Sequence, residues 1–72
     1  MESREAIMVV LNGDPCPAPA NAGLIDFVAS LGLPIQGVLI EHNGKALLRD
    51  EWAGVRLTDG DRLEILRVVA GG

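Results

Sequence analysis

The sequence predicts an α+β fold: a mixed sheet of four to five strands with one main helix packed on one face. Three observations predict it. Residues 6–11, 38–42 and 62–69 are rich in β-branched and apolar side chains and are bounded by turn signals. A single segment, residues 23–31, carries its apolar residues at helical spacing. The chain has 72 residues, of which 49% are hydrophobic. That is enough apolar surface to offset chain entropy, and short enough for one domain with a thin core.

Taken in order, the first strand is Ala6-Ile7-Met8-Val9-Val10-Leu11, stopped by Asn12-Gly13. Ile7, Val9 and Leu11 share one face; Met8 and Val10 share the other. Residues 14–20 hold three prolines and read as a short, irregular second strand, paired back on the first at a sheet edge. In the helix, Leu24, Phe27, Val28 and Leu31 form one stripe, with Asn21 or Gly23 as N-cap and Asp26 in the first turn. Gly32 suits the residue after the C-cap, and Pro34 prevents continuation.

Val38 to His42 is the third strand, closed by Asn43-Gly44. Residues 45–48 pair back as a short fourth strand, and residues 49–53 form a single turn of 3₁₀ character. Thr58-Asp59-Gly60-Asp61 is a turn in which Gly60 supplies positive φ. In the last strand, Leu63 and Ile65 alternate with Arg62 and Glu64. The first and last strands are the most apolar, which places them side by side, parallel and central. One helix on one face of this sheet buries both stripes.

The charge pattern excludes several functions. Net charge is -4, and the six basic residues are scattered. No basic patch exists to neutralise phosphates, so nucleic-acid binding is disfavoured. An acidic surface suits a partner protein with a basic face. The single cysteine, Cys16, rules out an intramolecular disulfide framework and a multi-cysteine metal site. The charged start Met1-Glu2-Ser3-Arg4-Glu5 and the short apolar run after it give no signal peptide and no membrane span, so the cytoplasm is the expected compartment.

Enzymatic chemistry needs a clustered acid, base or nucleophile. His42 is the only histidine, with no evident orienting partner in the sequence, and reads as a strand-end residue. Cys16, between two prolines, has no neighbouring cation to lower its pKa. Asp59 and Asp61 flank Gly60 as turn formers, without further ligands at calcium-loop spacing. Asp50-Glu51 reads as a solvated salt-bridging or capping pair. No residue is assigned a catalytic or metal-binding role.

The end of the chain is different. The last strand runs apolar to within three residues of the terminus, and only Ala70-Gly71-Gly72 follow. Without Cβ atoms, a diglycine threads a narrow slot and brings backbone close to a partner's reactive groups. Residues 69–72 reach at most about 13 Å when extended, enough to carry a carboxylate off a rigid sheet. Residues 1–72 are therefore expected to form one domain with a flexible tail, residues 70–72. Met8, Val10, Leu66 and Val68, off the core face of the two central strands, form a candidate partner-binding patch.

Leu11-Asn12-Gly13, Asn43-Gly44, Arg49-Asp50-Glu51-Trp52, Leu57-Thr58-Asp59-Gly60-Asp61 and Val68-Val69-Ala70-Gly71-Gly72 stand in this order in a chain that resembles the ThiS family of thiamine-biosynthesis sulfur carriers. The resemblance covers nearly the whole chain. The departures, Leu48 where the family often has Pro and Gly23 where it often has Thr, do not touch the tail. The resemblance implies a ubiquitin-like β-grasp fold. It implies that a ThiF-like enzyme, using ATP and magnesium, adenylates the Gly72 carboxylate while Ala70 and Gly71 thread that enzyme's active site. Sulfur from a donor such as a cysteine desulfurase persulfide then gives a thiocarboxylate, which a ThiG-like thiazole synthase consumes. The chain would be a cosubstrate that binds no cofactor itself. A MoaD-like carrier for molybdopterin, a ubiquitin-like modifier joined to lysines through Gly72, and a plain interaction domain are the other readings compatible with these residues.

Overall fold

The computed structural model describes residues 6–67. The elements are β1 (Ala6–Leu11), β2 (Asp14–Pro19), α1 (Leu24–Ser30), a 3₁₀ turn (Ile35–Gly37), β3 (Val38–His42), β4 (Lys45–Ala46), a second 3₁₀ segment (Arg49–Gly54) and β5 (Arg62–Arg67). They form a five-stranded mixed sheet in the order β2-β1-β5-β3-β4. The expected central, parallel placement of the first and last strands is observed: Val10 pairs with Arg62 and Leu11 with Leu63. The last strand is described as far as Arg67, so Val68, Val69 and the tail residues Ala70, Gly71 and Gly72 lie outside the described residues.

The core lies between the inner sheet face and α1. Val9, Val38, Ile40, Leu63 and Ile65 from the sheet meet Leu24, Phe27 and Val28 from the helix, with Trp52 and Leu57 closing the side. These positions are the inward half of each strand's alternation and the helix stripe, which is why both patterns were readable. Leu31, the last residue of that stripe, is only half-buried, because it is the C-cap where the backbone leaves the helix. Gly32 follows at φ +78, the left-handed conformation that stops α1. The N-cap is Gly23, in extended conformation; Asn21 instead takes φ +61 in the preceding turn.

Three sequence expectations are corrected. The second strand is neither short nor irregular: all six of its residues pair antiparallel with β1. Prolines survive there because Pro15, Pro17 and Pro19 fall at alternate positions. Opposite Pro17, the Met8 N–H and C=O are both directed away from β2, bonding Asp59 and Gly60. The missing proline donors therefore face the open edge and cost the ladder nothing. The fourth strand stops at Ala46, two residues early, after which Leu47 donates its N–H to Ile40 (2.9 Å). The 3₁₀ turn at Ile35–Gly37 was not foreseen, because three residues carry no readable period.

The parallel β1–β5 ladder holds only two residue pairs, and side chains extend it at both ends. At one end Asp59 Oδ1 accepts the Met8 N–H (2.9 Å), and Gly60 donates its N–H to the Met8 carbonyl (2.8 Å). At the other, Asn12 Oδ1 accepts the Ile65 N–H (2.7 Å), while Asn12 Nδ2 donates to the Ile65 carbonyl (3.2 Å). Asn12 sits at φ +50, so its main chain turns into the hairpin while its side chain carries on along β5.

Candidate functional site

β5 feeds the C-terminal segment, so its surroundings define the candidate site. Its second edge is bonded to β3 from His42↔Leu63 to Val38↔Arg67. Where β3 ends, Asn43 repeats the device used by Asn12. Its N–H donates to the Arg62 carbonyl (2.8 Å), and its Oδ1 accepts the Arg62 N–H (2.8 Å). Both Asn-Gly pairs are thus turns and strand clamps at once. Their turn role was legible from the dipeptide; their clamp role was not, since each partner lies 53 or 19 residues away.

Behind Asn43 lies a polar cluster centred on Asp61, the one buried charged residue among those described. Its carboxylate accepts from the Thr58 N–H (2.9 Å), the Thr58 hydroxyl (2.9 Å), Asn43 Nδ2 (3.2 Å) and His42 Nε2 (3.0 Å). Burial pushes the Asp61 carboxyl up, but the bonds from the Thr58 backbone, His42, Asn43 and the Thr58 hydroxyl outweigh it. The pKa falls from 3.8 to about 2. The carboxylate is therefore ionised at neutral pH and can only accept, which puts the shared proton on His42 Nε2. His42 does have an orienting partner, contrary to the sequence expectation. The pair ties two turns together, and the Thr58 hydroxyl joins it by donating to the same carboxylate.

The outer sheet face holds the described members of the candidate patch. Met8 and Leu66 are exposed and Val10 is half-buried. They stand in two groups. Met8 and Val10 lie on β1 beside Pro17 and Pro15. Leu66 is four residues beyond Arg62, Val10's partner, or about 13 Å further along the sheet. Its lateral neighbour is Leu39, directly opposite on β3. Leu39 (60% exposed) and Leu66 (57%) form an uncovered apolar pair. Leu39 was missed, although its alternation with the buried Val38 and Ile40 carried the signal. Next along, Glu41 and Glu64 are also directly opposite one another. Like charges in such a pair repel, and among the described residues neither forms an ion pair.

The remaining candidates stand apart from this face. Cys16 is half-buried on the inner side of β2, its Sγ 3.7 Å from the Pro17 carbonyl. Glu51 caps the 3₁₀ segment, its Oε1 accepting the Leu48 N–H (2.8 Å), and lies 3.7 Å from Lys45. Asp50 is exposed. On the helix side, a cleft of about 250 Å³ is lined by Gly23, Asp26, Trp52 and Arg56 among others. The Trp52 ring lies under the Arg49 guanidinium, 4.7 Å away, and its Nε1 is buried without a partner. Among the described residues no group of His, Cys, Asp or Glu is placed to hold a metal ion. No helix there is long and apolar enough to cross a membrane.

Comparison with known proteins decides what this framework belongs to. The ThiS family model matches residues 9–72. The chain belongs to the ThiS family. Among its relatives, the sulfur carrier protein ThiS of Thermus thermophilus is 34% identical over 65 residues, covering 90% of this chain and all of that protein. The crystal structure of the thiamine biosynthesis protein ThiS from Geobacter metallireducens superposes with a TM-score of 0.79 at 25% identity, over 92% of this chain and all of that one. The solution structure of the Geobacter protein gives 0.76, over 92% of this chain and 88% of that one. The ubiquitin-like β-grasp implied by the resemblance is the observed fold. The ThiS match includes the Asn-Gly clamps, the Asp61 cluster, and Ala70, Gly71 and Gly72.

Proposed function

We propose that this ThiS-family chain is a sulfur carrier whose Gly72 carboxylate is converted to a thiocarboxylate for thiazole formation in thiamine biosynthesis. One observation carries the reading: the family match runs to residue 72, through the Ala70-Gly71-Gly72 end.

The chemistry follows from the carboxylate. It is a poor electrophile, so a ThiF-like enzyme with ATP and magnesium couples one carboxylate oxygen to the α-phosphorus, and pyrophosphate leaves. The outer sulfur of a persulfide, such as one held by a cysteine desulfurase, attacks the acyl carbon and AMP leaves. A thiol then cleaves the sulfur–sulfur bond, releasing the thiocarboxylate and forming a disulfide. A ThiG-like thiazole synthase receives the sulfur. Ala70 and Gly71 thread the partner's active site, since neither carries more than a methyl group.

The outer sheet face is the docking surface in this reading. Met8, Val10 and Leu66, with Leu39 added, supply apolar contact; Val68, expected in the same patch, lies outside the described residues. The Glu41–Glu64 repulsion would be relieved by a cation on the partner.

The test is intact-mass analysis after incubation with a ThiF-like enzyme, ATP, magnesium and a persulfide donor. The expected result is a gain of about 16 Da, oxygen replaced by sulfur. Removing Gly72 should abolish the gain and leave the fold intact. No gain with any such enzyme would sink the reading, and a stable conjugate to a second protein's lysine would point to a modifier instead.

A further inference from the structure

We propose that Asn12 is a positioning residue for sulfur loading, its side-chain amide fixing the direction in which β5 delivers the C-terminal segment to a partner. The inference rests on the carrier reading above.

The geometry begins with where β1 stops. Its ladder to β5 ends at Leu11↔Leu63, with one further backbone bond from the Asn12 N–H to the Leu63 carbonyl (2.8 Å). The next bonding position on that edge of β5 is Ile65. The β1 main chain has already left, turned aside by Asn12 (φ +50) and Gly13 (φ +88). The Asn12 amide takes the place of the missing strand residue, accepting from the Ile65 N–H (2.7 Å) and donating to its carbonyl (3.2 Å). Two oppositely directed bonds to the N–H and C=O of one residue hold the peptide groups on both sides of its Cα, as a neighbouring strand would.

The turn alone does not require this side chain. Asp-Gly and Gly-Gly serve a tight hairpin as well as Asn-Gly does. Of Asn, Asp and Gly, the residues such a turn favours, asparagine alone supplies a donor and an acceptor in one plane. The choice at position 12 is thus explained by Ile65 and not by the turn.

The consequence is leverage. Arg67, the last described residue of β5, lies two residues beyond Ile65, about 7 Å along the strand, so a swing of about 20° at Ile65 shifts the point where the chain leaves the sheet by about 2 Å. Productive attack geometry tolerates less, on the order of 1 Å. On the opposite edge β3 holds β5 as far as Arg67. Asn12 is the matching hold on the β1 edge.

The test compares the full-length chain with Asn12→Gly and Asn12→Asp. Gly keeps the turn and loses both bonds; Asp keeps the acceptor and loses the donor. Each is given a ThiF-like enzyme, ATP, magnesium and sodium sulfide. Thiocarboxylate formation is followed as kcat and KM, alongside thermal unfolding and hydrogen exchange of the Ile65 amide. The expected result is folded protein, faster Ile65 exchange in Asn12→Gly, KM for the carrier within about twofold, and kcat lower by about tenfold or more. If Asn12→Gly does not fold, Asn12→Asp must show the kcat loss alone. Unchanged kcat in the folded variants, or a rise in KM alone, overturns the inference while leaving the carrier reading intact. A wild-type chain that gains no sulfur overturns both.

Discussion

His42 Nε2 donates to Asp61 Oδ2 across 3.0 Å, joining the end of β3 to the turn that launches β5. Nineteen residues separate them in sequence. With Asn43 and Thr58 bonded to the same carboxylate, the pair holds the two turns beside β5 in one cluster. Its function is architectural, and its energetics are testable.

Asp61 predicts an acid limb of stability. Its folded pKa, about 2, lies below its ordinary value of 3.8. The stabilisation is therefore complete above about pH 4 and is lost as pH falls toward 2. It amounts to about 2 kcal/mol, from the free-energy equivalent of a pKa difference. Asp61→Asn should lower stability at pH 7 by about that much. It should also flatten the pH dependence between 4 and 2, as read by urea unfolding at a series of pH values. An unchanged acid limb in the variant would show that other carboxylates set it.

The Leu39–Leu66 pair separates docking from folding. Both side chains are more than half exposed, so Leu39→Ser with Leu66→Ser should change stability by no more than about 1 kcal/mol. In sulfur loading by a ThiF-like enzyme the same variant should raise KM about tenfold, near 1.4 kcal/mol of lost binding, with kcat unchanged. That signature is the reverse of the one expected for Asn12. Wild-type KM in the double variant would remove this face from the docking surface.

The prolines of β2 predict a guarded edge. Pro15, Pro17 and Pro19 leave the outer side of that strand without N–H donors at three alternate positions, which denies a second chain a template for pairing. Replacing all three with Thr restores the donors and raises strand propensity. The fold should persist, with stability within about 1 kcal/mol of wild type, because the β1 ladder is untouched. Size-exclusion chromatography with light scattering should detect dimers or larger species that the wild-type chain does not form at equal concentration. A monomeric variant would mean that edge donors do not limit association.

Much of this molecule could be read along the chain, because the signals were local and periodic. Val9, Leu63 and Ile65 face the core by strand alternation. Leu24, Phe27 and Val28 do so by helical spacing, and Gly32 and Gly60 mark turns that need positive φ. The apolarity of β1 and β5 was enough to place them together. The proposed chemical site, Gly72 with its Ala70-Gly71 approach, is a reading of residue type and family resemblance, and it lies outside the described residues.

What remained hidden were relationships between segments distant in sequence. Asn12 and Asn43 read as turn residues; that they also clamp Ile65 and Arg62 depends on where their strands end relative to β5. Asp61 read as a turn former and His42 as unpartnered until folding set them 3.0 Å apart. The prolines read as disruption until the ladder's register turned their missing donors outward. Leu66 was expected beside Met8 and Val10, but the slip between β1 and β5 put it beside Leu39. Period and composition specify which face a residue takes. Register and strand length specify which residue it meets, and those are settled only when the whole sheet minimises its unpaired backbone groups.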